Sequence, residues 1–195
     1  MHRTNGPLLL LTLALALAPG LAAAQLTLKQ AAGVTFSDVT RDPQSGQASG
    51  KVGWQAGGTA LLGELLYLEA GAFYARKSTT ITAASQGVDF GGLTGLRVPV
   101  VVGYHLIGDA RGFLSVRAFG GASAFFVTAV DGSGLARGDL GDPTYGVLAG
   151  VGLDVAFLFA DLSSEWSLTD LSTLETVDVG ASRAPYLNVG LKFPL

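Results

Sequence analysis

The sequence predicts a closed, eight-stranded, antiparallel transmembrane β-barrel, an up-and-down meander that follows an N-terminal signal peptide. Three observations carry the prediction. Side-chain character alternates with period two along runs of about 10 to 13 residues. The connections between runs are long and short in strict turn. The chain, 195 residues long, is 49% hydrophobic before any of its 28 glycines is counted, with a mean hydropathy of +0.44. Soluble domains reach a similar apolar share only with glycine included, so this much apolar surface needs a non-aqueous environment.

From the N-terminus, Arg3, the apolar run Leu8 to Ala18, a Pro19-Gly20 break and the small residues Ala22-Ala23-Ala24 make a secretory signal peptide cleaved after Ala24. Its apolar run is shorter than the roughly 20 residues of a membrane-spanning helix. Residues 1–24 are therefore read as a leader and 25–195 as one barrel domain. The first two runs, near 26–37 and 51–62, flank the polar stretch Asp38 to Gly50. The later connections are short (Gly63-Glu64), long (Lys77 to Gly91), short (Gly108-Asp109-Ala110), long (Thr128 to Pro143), short (around Phe157-Leu158-Phe159) and long (Leu171 to Ser182). Transmembrane barrels of bacteria have this wiring, with an even strand number, tight turns in the periplasm and longer loops outside.

Alternation sorts each run into two faces. Leu114, Val116, Ala118, Gly120, Ala122, Ala124 and Phe126 oppose Phe113, Ser115, Arg117, Phe119, Gly121, Ser123 and Phe125. Leu187, Val189, Leu191, Phe193 and Leu195 oppose Tyr186, Asn188, Gly190, Lys192 and Pro194. The runs near residues 70, 100 and 160 sort likewise. A soluble, lipocalin-like ligand-binding barrel also alternates but turns its apolar face inward; that is the alternative fold. The mixed set is too small and too polar for a dry core, and the runs match the 9 to 11 residues of a tilted membrane-spanning strand, so the apolar face is assigned to lipid. Trp54, Tyr74, Tyr104, Phe126 and Trp166 fall towards strand ends, as aromatic girdles do. Pro99 cannot donate to a ladder, so a bulge or a locally unpaired position is expected there.

Charged residues on the inward face, Glu69, Arg97, Arg117, Asp154, Asp161, Glu165 and Lys192, are read as a lumen network of ion pairs, because a buried charge must be paired to be tolerated. An eight-stranded lumen is filled by side chains, so a diffusive pore is not expected.

The last eight residues, from Asn188 to Leu195, resemble the terminal assembly signal of outer-membrane proteins: Asn188 is polar, Gly190 follows, and Phe193 and Leu195 occupy the third-last and last positions, although many members end in phenylalanine. Residues 65–71 (Leu-Leu-Tyr-Leu-Glu-Ala-Gly) and 96–104 (Leu-Arg-Val-Pro-Val-Val-Val-Gly-Tyr) extend the likeness. On these segments the chain resembles the small bacterial outer-membrane β-barrel family, OmpX-like and of the type common in Bacteroidota. The resemblance implies an outer-membrane location, outer-membrane lipids around the barrel and the barrel-assembly machinery as a partner during biogenesis.

Lipid A deacylases and palmitoyl transferases are also small outer-membrane barrels, so chemistry has to be weighed. His105 is the only histidine after the leader, and a nucleophilic arrangement would need a serine within hydrogen-bond reach and an orienting carboxylate. The His-x-Ser pattern of such deacylases is absent, since His105 is followed by Leu106-Ile107. No catalytic residue is assigned. Asp131, Asp139 and Asp142 lack the ordered spacing of a calcium loop, the chain has no cysteine for a thiolate site, disulfide or lipoprotein anchor, and no phosphate-binding glycine motif is present; no metal or cofactor is expected. Twelve basic residues, one of them in the leader, against 15 acidic ones argue against nucleic acid. The reading is a non-enzymatic envelope protein with a structural role or an extracellular ligand at its loops. A lipid-modifying enzyme and a narrow solute channel are the alternatives.

Overall fold

A computed structural model describes residues 25–36, 52–77, 81–83, 86–88, 92–131, 143–168 and 183–195; residues 1–24, read above as a leader, the loop aspartates Asp139 and Asp142, and most of the long connections lie outside the described residues. The period-two runs form β1 (Leu26–Phe36), β2 (Val52–Gly63), β3 (Leu66–Lys77), β6 (Gly92–Ile107), β7 (Leu114–Asp131), β8 (Thr144–Val155), β9 (Leu158–Ser167) and β10 (Arg183–Pro194). These eight pair antiparallel with their neighbours in sequence and close into a barrel by pairing β10 with β1. The seam runs from Thr27 opposite Pro194 to Thr35 opposite Tyr186, and the Leu195 amide donates to the Leu26 carbonyl at 2.8 Å. The fold is that of an outer-membrane-type transmembrane β-barrel.

Several boundaries differ from the sequence expectation. The connection from Lys77 to Gly91 contains a hairpin, β4 (Ile81–Ala83) and β5 (Gln86–Val88), in which β-branched Ile81 and Val88 are paired positions. Strand β7 runs on through Thr128 to Asp131, and β6 and β7 reach 16 and 18 residues. Their extra length is accommodated by two register shifts. At one, Thr128 is unmatched between Val127, opposite Gly95, and Ala129, opposite Thr94; its hydroxyl donates to the Thr94 carbonyl at 3.0 Å. The other leaves Leu106 unmatched. The turn between β8 and β9 is Ala156-Phe157, so Leu158 already belongs to β9, and Ala156 adopts a left-handed φ of 53°. Phe113, which alternation places inward, is 74% exposed, because it precedes the first paired residue of β7.

Pro99 takes the second of the two expected forms. On the β3 side Ala70 pairs with Val100 and Phe73 with Arg97, in one unbroken register, while Val98 and Pro99 have no partner position. The ladder is interrupted without a bulge, and on the β7 side Pro99 still lies opposite Ser123.

The apolar face points outward. Leu68, Val100, Val102, Val151, Leu153, Leu162, Leu187, Val189 and Phe193 are all exposed, as are the five aromatics Trp54, Tyr74, Tyr104, Phe126 and Trp166, and the Trp54 and Tyr74 rings lie 5.9 Å apart. Polar residues line the interior. Two small apolar clusters sit within it, Ala75, Leu93, Phe125 and Val127 towards the long connections, and Leu61, Tyr67 and Ala110 with Phe119 towards the tight turns. A soluble barrel with an apolar ligand pocket would need the opposite facing.

Closure also depends on a glycine. A β-carbon on Gly190 would overlap the Gln30 carbonyl oxygen across the seam and press on the Phe159 ring. Gly190→Val is predicted to lower unfolding stability in detergent by about 1–3 kcal/mol, the usual range for overpacking, as read from the urea midpoint of the folded band. Gly120→Val, where an added β-carbon meets nothing closer than 3.5 Å, should cost much less. Equal midpoints for the two variants would refute the steric account.

Candidate functional site: an ion-paired lumen

The strand pleat places one residue in two inside the barrel, and the structure places Glu69, Arg97, Arg117, Asp154, Asp161, Glu165 and Lys192 there, all buried. They fall into two groups. Towards the tight turns, Arg117 is the hub: its guanidinium, 1% exposed, reaches Glu69 at 3.4 Å, Asp154 at 3.3 Å and the Asp161 carboxylate, and it donates to the Tyr67 hydroxyl at 3.3 Å. Lys29 bridges Glu69 at 3.0 Å and Asp161 at 3.2 Å, with its ammonium over the Phe159 ring. Lys192 meets Asp154 at 3.5 Å and donates to the Ala110 and Gly112 carbonyls of the turn below. Thr59 donates to Glu69 at 2.6 Å. Three cations thus share three carboxylates, and the group is neutral.

Towards the long connections, Glu165 is the hub. It accepts from Arg97 at 2.8 Å, from Ser123 at 2.8 Å and from Lys77 at 3.2 Å. Arg97 stacks on the Tyr186 ring at 4.4 Å and Lys77 lies 4.6 Å from the Phe125 ring centre. Here two cations share one carboxylate.

Glycines make room for these groups. A β-carbon at Gly152 would strike the Arg117 guanidinium and Asp161, and one at Gly103 would overlap the Tyr67 ring. The two groups are separated by a cavity of about 40 Å³, lined by Lys29, Glu69, Arg97, Asp161, Ser163 and Asn188 among others. At about 10–15 Å³ per water position, it has room for a few waters.

Sequence reasoning did not include Lys29 or Lys77. Lys29 carries the same signal as the others, since it alternates with Leu28 in β1; Lys77 was assigned to the following loop.

His105 also differs from its sequence reading. No serine follows it on its own strand, yet Ser115 of β7 brings its hydroxyl to 2.5 Å from His105 Nδ1, and Asp154 lies opposite Ser115 in the next strand. The histidine ring stacks tilted on Tyr67, with centres 5.0 Å apart, and its Nε2 has no hydrogen-bond partner among the described residues. Ser115 is 0% and His105 1% exposed, so neither is open to lipid or solvent.

In the terminal segment Asn188 points inward and accepts from Gln55 at 2.6 Å, Gly190 lies at the seam, and Phe193 and Leu195 are exposed. Asp131 ends β7. Among the described residues no cluster of three or more histidine or carboxylate side chains is placed to hold a metal.

No protein-family model matches the chain, and no curated protein matches it. Solved structures do. Neisserial surface protein A is 13% identical with a TM-score of 0.50, over 87% of this chain and 97% of its own. The N-terminal β-barrel domain of Pseudomonas aeruginosa OprF is 14% identical with a TM-score of 0.47, over 87% and 99%. Ail of Yersinia pestis is 12% identical with a TM-score of 0.46, over 87% and 99%. At these identities the likeness is one of fold.

Removing Arg117 would leave three buried carboxylates short of a partner, and losing one member of a buried ion pair typically costs 3–5 kcal/mol. Arg117→Ala is therefore predicted to lose about that much stability, measured by urea unfolding of the boiling-sensitive folded band. An unchanged midpoint would show that the lumen network does not hold the barrel together.

Proposed function

We propose that the chain is a small integral outer-membrane protein of OmpX-like type, closed to solutes and non-enzymatic, acting in envelope structure or through a ligand held by its long outer connections. The observation that carries this reading is the lumen: two layers of buried ion pairs cross an eight-stranded bore and leave a cavity of about 40 Å³. A bore filled in this way leaves little free space among the described residues, which weighs against the channel alternative. The outward apolar belt supports a lipid surround, and with the chain exported, loop variation rather than the rigid barrel is where binding specificity resides. Outer-membrane lipids and the barrel-assembly machinery are its partners in this reading, the latter through Asn188, Gly190, Phe193 and Leu195.

One observation favours a second reading, a lipid-modifying enzyme: the Ser115–His105 contact of 2.5 Å beside Asp154. The dyad faces the lumen rather than lipid and is fully buried, which weighs against an acyl chain reaching the Ser115 hydroxyl. A nucleophile needs its reacting carbon within about 3 Å.

Two measurements test the reading. Expressing cells are fractionated, and the detergent-extracted protein is run on SDS gels with and without boiling. Recovery in the outer membrane with a boiling-dependent shift is expected, while a soluble periplasmic protein would remove the membrane reading. Purified protein in planar bilayers should be electrically silent and should leave radiolabelled lipid A unchanged. Conversion abolished by Ser115→Ala would establish the enzyme instead.

A further inference from the structure

The lipid-facing surface has one polar side chain that its surroundings do not explain. Gln30 lies on the same face of β1 as Leu28, Ala32, Val34 and Phe36 and is exposed. Its level is fixed by the register: Leu28 pairs with Phe193 on one side of it, and Val34 pairs with Trp54 on the other. Gln30 therefore sits in the apolar belt, between the aromatic residues of the two rims. Other polar side chains on this surface lie nearer the outer rim, as with Ser164, which accepts from Arg183 at 2.9 Å. Among the described residues the Gln30 amide has no hydrogen-bond partner.

A carboxamide carries two donors and a two-fold acceptor, and acyl chains satisfy none of them, so an amide held in hydrocarbon is costly unless something else arrives to pair it. The surface around it is suited to a close approach. Gln30 is level with Gly58 of β2 and Ala72 of β3; the adjoining levels carry Ala32 with Ala56, and Ala60 with Ala70. On β6, β8 and β10 the outward positions are mostly valine and leucine, among them Val100, Val102, Val151 and Val189, and Leu191 borders the patch directly across the seam from Gln30; β7 repeats the small pattern with Ala118, Gly120, Ala122 and Ala124 but has no polar side chain among them. Small residues lower the surface around a polar group, and in membranes that combination lets two backbones meet while the polar groups bond across the contact.

We propose that the β1–β3 face is a lateral interface with a second copy of this chain, a two-fold contact in which the two Gln30 amides hydrogen-bond to each other. A second copy is the occupant that the chemistry selects. An amide is self-complementary, donor to acceptor in both directions, and a two-fold axis near Gln30 brings identical groups together without needing any other polar residue on the partner. The inference rests on the lipid-facing assignment of the outer surface and not on the role of the loops or the lumen.

The absence of cysteine makes the test direct. Ala32→Cys puts a thiol beside Gln30 and leaves the amide intact, while Ala122→Cys puts one on β7, diametrically across the barrel and also exposed. Both variants are refolded into phosphatidylcholine vesicles at low protein density, checked for the boiling-dependent gel shift and oxidised with copper phenanthroline. Expected are a disulfide-linked dimer from Ala32→Cys, monomer from Ala122→Cys, and loss of the dimer when Gln30→Leu is added to Ala32→Cys. Energy transfer between labelled copies, free of any thiol at the contact, should show association weakened about three- to twentyfold by Gln30→Leu, the range of interhelical hydrogen bonds in membranes. Leucine at a lipid-facing position should leave the gel shift in place; should it not, Gln30→Val serves the same comparison. Equal cross-linking at both faces, no cross-link at Ala32, or a dimer indifferent to Gln30→Leu would each overturn the proposal, whether because lipid or a different protein covers this face. Failure of the gel shift in the unsubstituted chain would instead overturn the membrane assignment itself.

Discussion

Hydrocarbon offers no hydrogen-bond partner, so a sheet surrounded by it has to leave no edge, and in this chain that requirement is met where β10 returns to β1. Every other feature follows from that closure. Antiparallel pairing around the whole circuit forces each strand to turn one residue in two inward. Eight strands then enclose a bore narrow enough that whatever points inward must pack with whatever points inward from the other side. The seam tolerates no side chain at Gly190, where β1 and β10 approach across Gln30.

Given that geometry, this chain fills the middle of its lumen with paired charge and keeps small apolar clusters towards the two ends. Arg117 and Glu165 act as hubs because each can serve several partners at once: a guanidinium has five N–H donors, and a carboxylate has about four lone-pair sites. The resulting layers come from strands far apart in sequence. Lys29 and Asp161 are 132 residues apart, yet their side chains lie within 3.2 Å. Such pairs add less net stability than their Coulomb attraction suggests, because desolvation offsets much of it. Their more important effect is on register. A one-residue slip would move an entire strand's charges to the lipid face, and that is the most expensive error a barrel of this kind can make.

The outer surface obeys the complementary rule. Its belt is apolar almost everywhere, which makes the unpaired amide of Gln30 informative in the way a buried unpaired charge is informative in a soluble core. The His105–Ser115 contact has the opposite character: residue types that resemble a nucleophilic pair, buried inside the lumen. In both cases the residue type alone does not fix a role; the surroundings that the structure gives it have to be read as well.

Fold class, strand number and facing were legible in the sequence, because period-two alternation is local and survives without knowledge of neighbours; the inward assignment of Arg117, Asp154 and Lys192 follows from counting along one strand. Counting failed wherever pairing breaks the period. The unmatched Thr128, the turn at Ala156 and the exposed Phe113 all sit at such places, and the hairpin of β4 and β5 lay inside a stretch read as loop. What only the tertiary structure decided is which inward residues meet. Strand order and stagger bring Ser115 to His105, Lys29 to Asp161 and Arg97 to Glu165, and those contacts depend on the closure of the whole barrel, a non-local condition that no single strand encodes.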